Sequence, residues 1–546
     1  MKIFKYIHYH VFLMETKPGP QDSKYLKKEI GFWPMVMLNV GAMIGSGILI
    51  LPFSTMAYAG PYIFIPWLIG GFLVLPLILV YNRLIERYPI TSGLTRYPYY
   101  SHGGLTSFAT AMSSIIVDLM TLPVEAEATT IYLNVLWPIF IYKGTPTIAG
   151  YIMEVAIIAI IMFIIYIGVK YLAGTNFILT VTKVIIVALF GLVMISFWSP
   201  TNFTAPGIAY LPKGISGIFT ASAMTIFAYI GFRKTVVYAG EAKNIKVLNK
   251  VEYVGWFLTL VIYLVIVIAV VGAIRWDKLA PLAAQSGIIL TPGDWAGVSM
   301  ISGPFTTLAF SLGLAWLAYL FIIDGILSPQ AVNLSVMGET VRTFYGAAKT
   351  KYLPKIFLRV NPKTGSMPWG ILVSFIAGVA FLFIVPLYPQ AVILYVSLSA
   401  ITYISAPAAL GGILSRDNPE MKKKEWLHLY IIGPIAMIVS GLIFYWTGFP
   451  YTLYAAPIVA ILSLILVYYS RKEKGIGGWL NGAWYIAFML VLALISYLGE
   501  KDFGGTGLIT FPYDFIVIIL LSITFYFIAI ISRLPEAPEE EADIYV

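Results

Sequence analysis

The chain is 546 residues long, 59% hydrophobic and only 11% charged, with a mean hydropathy of +0.86. Soluble domains carry about 25% charged residues, so a water-soluble globule is excluded: it would expose more apolar surface than water tolerates. The formal charge of +9 forms no dense basic domain, which sets aside a nucleic-acid partner, and the absence of cysteine rules out disulfides.

In chain order, the sequence opens with the basic, aromatic stretch MKIFKYIHYHVFLM and a polar run, 15-ETKPGPQDSKYLKKE-29. The apolar part is short and lacks a small-residue cleavage site, so no signal peptide is expected, and Met14 is an alternative start. Residues 1–32 are read as a cytosolic tail. A membrane span needs about 20 mostly apolar residues. Fourteen such segments follow, at 33–57, 62–82, 104–138, 147–168, 174–198, 214–238, 252–274, 301–327, 368–386, 389–414, 427–446, 452–470, 479–498 and 510–532. The architecture is therefore an all-α polytopic membrane protein. The third span is long and contains Pro123, which predicts a tilt or kink.

The first span carries 38-LNVGAMIGSGILILP-52, with Gly41, Gly45 and Gly47 near its middle. Each glycine costs roughly 1 kcal/mol in a helix interior relative to alanine. A packing face of the GxxxG kind is one explanation. The sixth span offers another: 227-FAYIGFR-233 also places a glycine near mid-depth, followed closely by Arg233. Interrupted segments at corresponding places in two halves point to an inverted repeat with a binding site between them. Freed backbone groups at mid-membrane are tolerated only around a polar ligand or water. A half-helix N-terminus suits a carboxylate, and freed carbonyls suit an ammonium group. The halves are read as 33–198 and 214–415, a ten-helix core over 33–415. Four additional helices follow over 427–532, and then an acidic tail, 533–546.

Three further segments stand out. The outer loop 275–300 would cover an external vestibule. The basic stretch 328–368 is expected to hold an amphipathic helix at the membrane surface. Asn202-Phe203-Thr204 forms an N-glycosylation sequon on the outer side. With the N-terminus inside, 29 of the Lys and Arg residues fall on inner segments and five on outer ones. That bias supports an even number of spans with both ends cytoplasmic. Lys183 alone belongs to neither side.

Several motifs, in order, resemble the amino acid–polyamine–organocation (APC) superfamily of transporters. GAMIGSGI matches its glycine-rich break. Tyr88-Pro89 with 91-TSGLTRYPYY-100 resembles the loop after its second span, and 122-LPVEAEATTIYL-133 its glutamate-bearing third span. NFILTVTK, ending at Lys183, resembles its fifth, and FAYIGF with 240-GEAKN-244 its sixth. Residues 353–368, LPKIFLRVNPKTGSMP, resemble the loop before its ninth. The sequence departs at Arg233, where the family usually has an acid, and at Ile245, where a proline is usual.

The resemblance implies the LeuT-type fold, with a five-plus-five inverted repeat, and secondary active transport of amino acids or related amines. Carried over residue by residue, Gly45, Ser46 and Gly47 would donate to the substrate carboxylate. The carbonyls of Met43, Ile44, Phe227, Ala228 and Ile230 would receive its ammonium group, with the Phe227 ring flanking the side-chain pocket. In some members a lysine matching Lys183 stands where sodium sits in sodium-coupled relatives. Lys183 and Glu125 are accordingly the expected proton-coupling residues, with Lys183 tethering spans 1 and 8, and a proton is favoured over sodium. Small and aromatic residues at 227–230 favour a neutral or apolar substrate side chain.

Ionisable groups inside a bilayer cost about 2.5–3.5 kcal/mol each and are expected to pair. The candidates are Asp118, Glu125, Glu127, Glu154, Lys183, Arg233 and Asp324. Arg233 is read first as structural, a partner of Asp118 or Glu125, and second as substrate-binding. Glu127 points about 200° from Glu125 around its helix. Trp316 is either an aromatic gate or lipid-facing. No His, Asp or Cys cluster suggests an enzyme or a metal site, and no cofactor is expected. No filter motif suggests a channel, and no nucleotide-binding motif suggests a pump. Proton symport of an amino acid at the cell membrane is the first reading, exchange the second, and a transport-inactive sensor or membrane enzyme the alternative from another class. The expected partners are the amino acid, a proton and lipid; the oligomeric state is left open.

Overall fold

The computed structural model describes residues 30–538, apart from 91, 143–144, 168, 286, 302, 350–351, 362–365, 385–387, 418–421 and 474–478. The expectations for the tail up to residue 29 and for the acidic end, 539–546, lie outside the described residues. Among those described, the only strands are a two-residue hairpin, Ile141–Tyr142 with Thr145–Pro146. Twelve helical segments are long and apolar enough to cross a membrane. Two further apolar helices, Pro368–Ile384 and Tyr451–Glu473, stand where the ninth and twelfth spans were expected.

Ionisable side chains are held in the interior while large apolar ones face outward, as lipid demands. Ile152, Ile160, Phe163, Phe257, Leu464 and Leu520 are each more than half exposed, whereas Asp118, Glu125, Lys183, Arg233 and Asp324 are buried. In hydrocarbon a charge must find a protein partner, while an exposed Leu or Phe costs nothing.

The first span is two helices, Phe32–Met43 and Ser46–Ala59. Ile44 (φ −82°, ψ 98°) and Gly45 (φ −146°, ψ −143°) leave the helical region between them. The sixth span does not unwind in this way. Its helix Gly214–Tyr229 tightens into a 3₁₀ turn, Ile230–Arg233, and resumes over Lys234–Tyr238. The third helix, Gly104–Leu136, runs without interruption through Pro123. Its 33 residues extend about 50 Å at 1.5 Å per residue, more than a bilayer core is thick.

Three expectations change. The eighth span is not 301–327. Pro304–Ser311 is a short separate helix, and the long one is Ala315–Lys349. Its second half takes up residues assigned to a surface helix, and beyond it, among the described residues before Pro368, the only helical element is a 3₁₀ turn, Lys355–Leu358. The sequon at Asn202 is not a free acceptor. Asn202 is buried, its amide donates to the carbonyls of Val271 and Ile274, and Trp276 Nε1 donates to its Oδ1. Trp316 is 54% exposed, which fits the lipid-facing reading.

The loop 275–300 folds into short helices, Trp276–Gln285 and Trp295–Ser299. The second packs against Ser46–Ala59 and is pinned by Trp295 Nε1 donating to the Ile208 carbonyl at 2.9 Å. The last helices wrap Tyr388–Asp417. Tyr485 Oη donates to the Ile401 carbonyl at 2.6 Å, and Tyr526 Oη to that of Leu429 at 2.7 Å.

Candidate functional site

The two interruptions meet. A Cβ on Gly231 would lie 2.5 Å from the Ala42 carbonyl carbon and the Met43 nitrogen, so only glycine lets the sixth-span turn rest on the first-span backbone. A Cβ on Gly47 would come within 3.1–3.2 Å of Ala228 and the Phe227 ring. Asn39 completes the junction: its Nδ2 donates to Thr235 Oγ1 at 2.7 Å, and its Oδ1 accepts from the Thr235 backbone at 3.1 Å. Gly41 packs against Thr180, and Gly45 against Val332 and Glu125. These glycines therefore serve contacts within the chain, not a face left open for a second copy.

Between the interruptions lies a cavity of about 20 Å3, lined by Met43, Gly45, Gly47, Glu125, Phe227 and Arg233 among others. That is room for a water molecule, not an amino acid. Two groups occupy the places where ligand atoms were expected. The Ser46 backbone N–H opens the helix Ser46–Ala59, and it donates to Glu125 Oε2 at 3.2 Å. A side-chain carboxylate thus sits where the substrate carboxylate was predicted, because a helix N-terminus attracts negative charge. On the ammonium side, the Tyr263 hydroxyl lies 2.6 Å from the Met43 carbonyl oxygen and 3.1 Å from that of Ala228. Its single proton serves one of them at a time. The Phe227 carbonyl accepts from the Ile230 N–H within the turn, so it is not free. The Phe227 ring stands edge-on to Tyr395, with centroids 5.1 Å apart.

Several of the buried charges find partners, as bilayer energetics requires, whereas the buried Glu154, expected to pair, and Glu252 have no hydrogen-bond partner on either carboxylate oxygen among the described residues. Lys183 Nζ donates to the Gly41 carbonyl at 2.6 Å, one turn before the first break. Asp324 on the eighth helix and Glu125 are the carboxylates that influence it; Asp324 Oδ1 accepts from Ser328 at 3.0 Å. The hydrogen bond of Lys183 therefore reaches the first span, while its link to the eighth is electrostatic. Arg233 Nη2 lies 3.4 Å from Asp118 Oδ1, and its guanidinium carbon lies 6.0 Å from the centre of the Tyr403 ring. Glu127 accepts from the Tyr388 backbone N–H at 2.9 Å, away from the cavity, and Tyr388 Oη donates to Ser46 Oγ at 2.9 Å.

The structure thus brings Met43, Gly45, Ser46, Gly47, Glu125, Phe227 and Ala228 together, with Lys183 one turn away. Sequence reasoning missed Tyr263, Tyr388 and the buried Lys234–Glu339 ion pair. With 37 tyrosines in the chain, neither tyrosine stood out. Among the described residues no group of three or more His, Asp or Glu could hold a metal ion.

A family model described as amino acid permease matches residues 30–469. The glutamate/serine transporter AimA of Bacillus subtilis is 30% identical over 520 residues, covering 92% of this chain and 93% of that protein. The aspartate-proton symporter of the same organism is 29% identical over 524 residues, 94% of this chain and 98% of the other. A putative arginine/ornithine antiporter, also from Bacillus subtilis, is 24% identical over 381 residues, 65% of this chain and 77% of the other.

Proposed function

Since the chain belongs to the amino acid permease family, we propose that it carries an amino acid across the cell membrane by alternating access, as a proton symporter, with both termini in the cytoplasm. The observation that carries the reading is the Glu125 carboxylate on the Ser46 N–H. Glu125 satisfies the donor that a substrate carboxylate needs. A proton on Glu125 removes the charge that the helix N-terminus holds, and a neutral carboxyl is the weaker acceptor. Proton and substrate then favour each other's binding, which is the reciprocity symport requires.

Lys183 is the second coupling group. Its bond to the Gly41 carbonyl is charge-assisted while Lys183 is an ammonium; a neutral amine is the weaker donor, so loss of the proton loosens its hold on the first half of span 1. Met43, Ile44, Gly45, Ser46 and Gly47 from the first break, with Phe227, Ala228 and Ile230 from the sixth span, form the amino acid site. Tyr263 Oη marks the place the substrate ammonium takes. A LeuT-type five-plus-five repeat over 33–415, with fourteen crossings in all, is the architecture we assign. The pairing of an interrupted first span with a tightened sixth supports it.

Exchange is the second reading, supported by the relative named as an antiporter. The relatives' names alone leave the side-chain class open. Reconstitution into proteoliposomes with a panel of labelled amino acids separates the two. Symport predicts saturable accumulation driven by an acidic exterior, unaffected by a sodium gradient and abolished in Lys183→Ala. Exchange predicts uptake only into vesicles preloaded with amino acid. Absence of uptake and of exchange for every amino acid and amine contradicts both.

A further inference from the structure

The geometry points to Arg233 as a second carboxylate-binding group, which makes the substrate a dicarboxylic amino acid. This rests on reading the two interruptions as the amino acid site. Arg233 closes the 3₁₀ turn Ile230–Arg233 and lines the same cavity as Gly45, Gly47 and Glu125. It is 3% exposed.

A guanidinium is a planar fork built for two parallel bonds to a carboxylate. Here the fork is half used. Nη2 reaches Asp118 Oδ1 at 3.4 Å, well beyond the 2.7–2.9 Å usual for charge-assisted bonds. Nη1 has no acceptor, and Asp118 Oδ2 has no donor. Buried donors without partners are rare, and this one belongs to a charged group at the edge of the cavity. The neighbouring lining cation is spent: the Lys234 ammonium pairs with Glu339. Asp118 from the third helix and Tyr403 from the tenth contact Arg233, and Glu339, Tyr395 and Tyr81 lie near enough to interact with its charge. None of them donates to or accepts from Nη1.

Charge balance agrees. Protonating Glu125 removes one negative charge from the buried site, and an acidic amino acid brings one in. One proton per substrate therefore leaves the buried charge unchanged, which a neutral amino acid does not. The α-carboxylate would take the Ser46 N–H and the side-chain carboxylate the free edge of Arg233. The expectation of a neutral or apolar side chain, drawn from residues 227–230, is set aside, because those residues precede the group that reads the far end of the ligand.

The test is equilibrium binding to the purified full-length protein, using aspartate and glutamate against their isosteres asparagine and glutamine. The expected result is that wild type prefers each acid over its amide by about 10- to 100-fold, the value of a hydrogen bond to a charged group. Arg233→Gln should collapse that ratio to near one. Because Arg233→Gln leaves Asp118 unpaired, the Asp118→Asn/Arg233→Gln double variant is measured beside it, and it should give the same collapsed ratio in a folded protein. Wild type binding the amides as well as the acids would overturn the inference, as would a ratio that survives in the double variant. Binding of neutral amino acids alone would sink this inference while leaving the transport reading intact; binding of no amino acid would sink both.

Discussion

Tyr263 Oη stands between two backbone carbonyls that belong to different interrupted spans, those of Met43 and Ala228. It is fully buried, with Trp67 and Tyr229 edge-on at 5.0 and 5.2 Å. Tyr263→Phe keeps the ring and removes the only donor the two carbonyls share. The expected cost is about 1–3 kcal/mol, the penalty for orphaning buried acceptors, read as a lower unfolding midpoint in detergent. Added substrate should recover more of that loss than it stabilises wild type, because its ammonium takes the vacated place. The glycines of GAMIGSGI were legible because a glycine-rich stretch is conspicuous in an apolar span. Tyr263 was not, because an aromatic residue inside a membrane helix carries no signal until its neighbours are known. The role of Glu125 fell between: its mid-span charge announced a partner, but that the partner is the Ser46 N–H depends on how far the third helix lies from the first.

The helices show a second kind of misreading, with one physical cause. Hydropathy measures exposure to lipid, and a span buried inside protein need not be apolar. The second half of Ala315–Lys349 carries Ser328, Asn333, Ser335, Glu339 and Thr340, all buried. Its polarity looked like a loop, so the span was placed too early, on the more apolar stretch that begins at 301. The ninth helix, Pro368–Ile384, lies at the other extreme, almost wholly apolar along its described length. The same helix Ala315–Lys349 supplies Glu339, whose ion pair with Lys234 joins it to the segment after the sixth-span turn; both side chains are at most 3% exposed. Removing one partner strands a buried charge, whereas removing both does not. Lys234→Met should therefore destabilise by about 3–5 kcal/mol, and the Lys234→Met/Glu339→Met double variant by far less. Thermal unfolding of the three proteins in one detergent checks this. Equal losses in the single and double variants would show that the pair holds no such strain.

Over the whole molecule, the four C-terminal helices are part of the structure around the site. They wrap Tyr388–Asp417, whose membrane-spanning stretch is almost wholly buried, and that helix also supplies Tyr395 to the cavity and Tyr388 to Ser46. Arg83, near the end of the second helix, reaches Glu425 at the start of the eleventh at 2.6 Å, tying the helices again at one end. The similarity to the two Bacillus subtilis relatives covers 92% and 94% of this chain. Everything proposed here depends on the two interruptions forming one amino acid site. The most direct measurement is amino acid binding to purified Gly47→Val beside wild type, with the folded fraction of each read by size-exclusion chromatography. The valine must enter a space where even a Cβ lies 3.1–3.2 Å from Ala228 and Phe227. The account predicts a monodisperse variant that no longer binds the ligand wild type binds. A folded Gly47→Val protein that binds it normally would contradict the account and return the glycines to a role in packing alone.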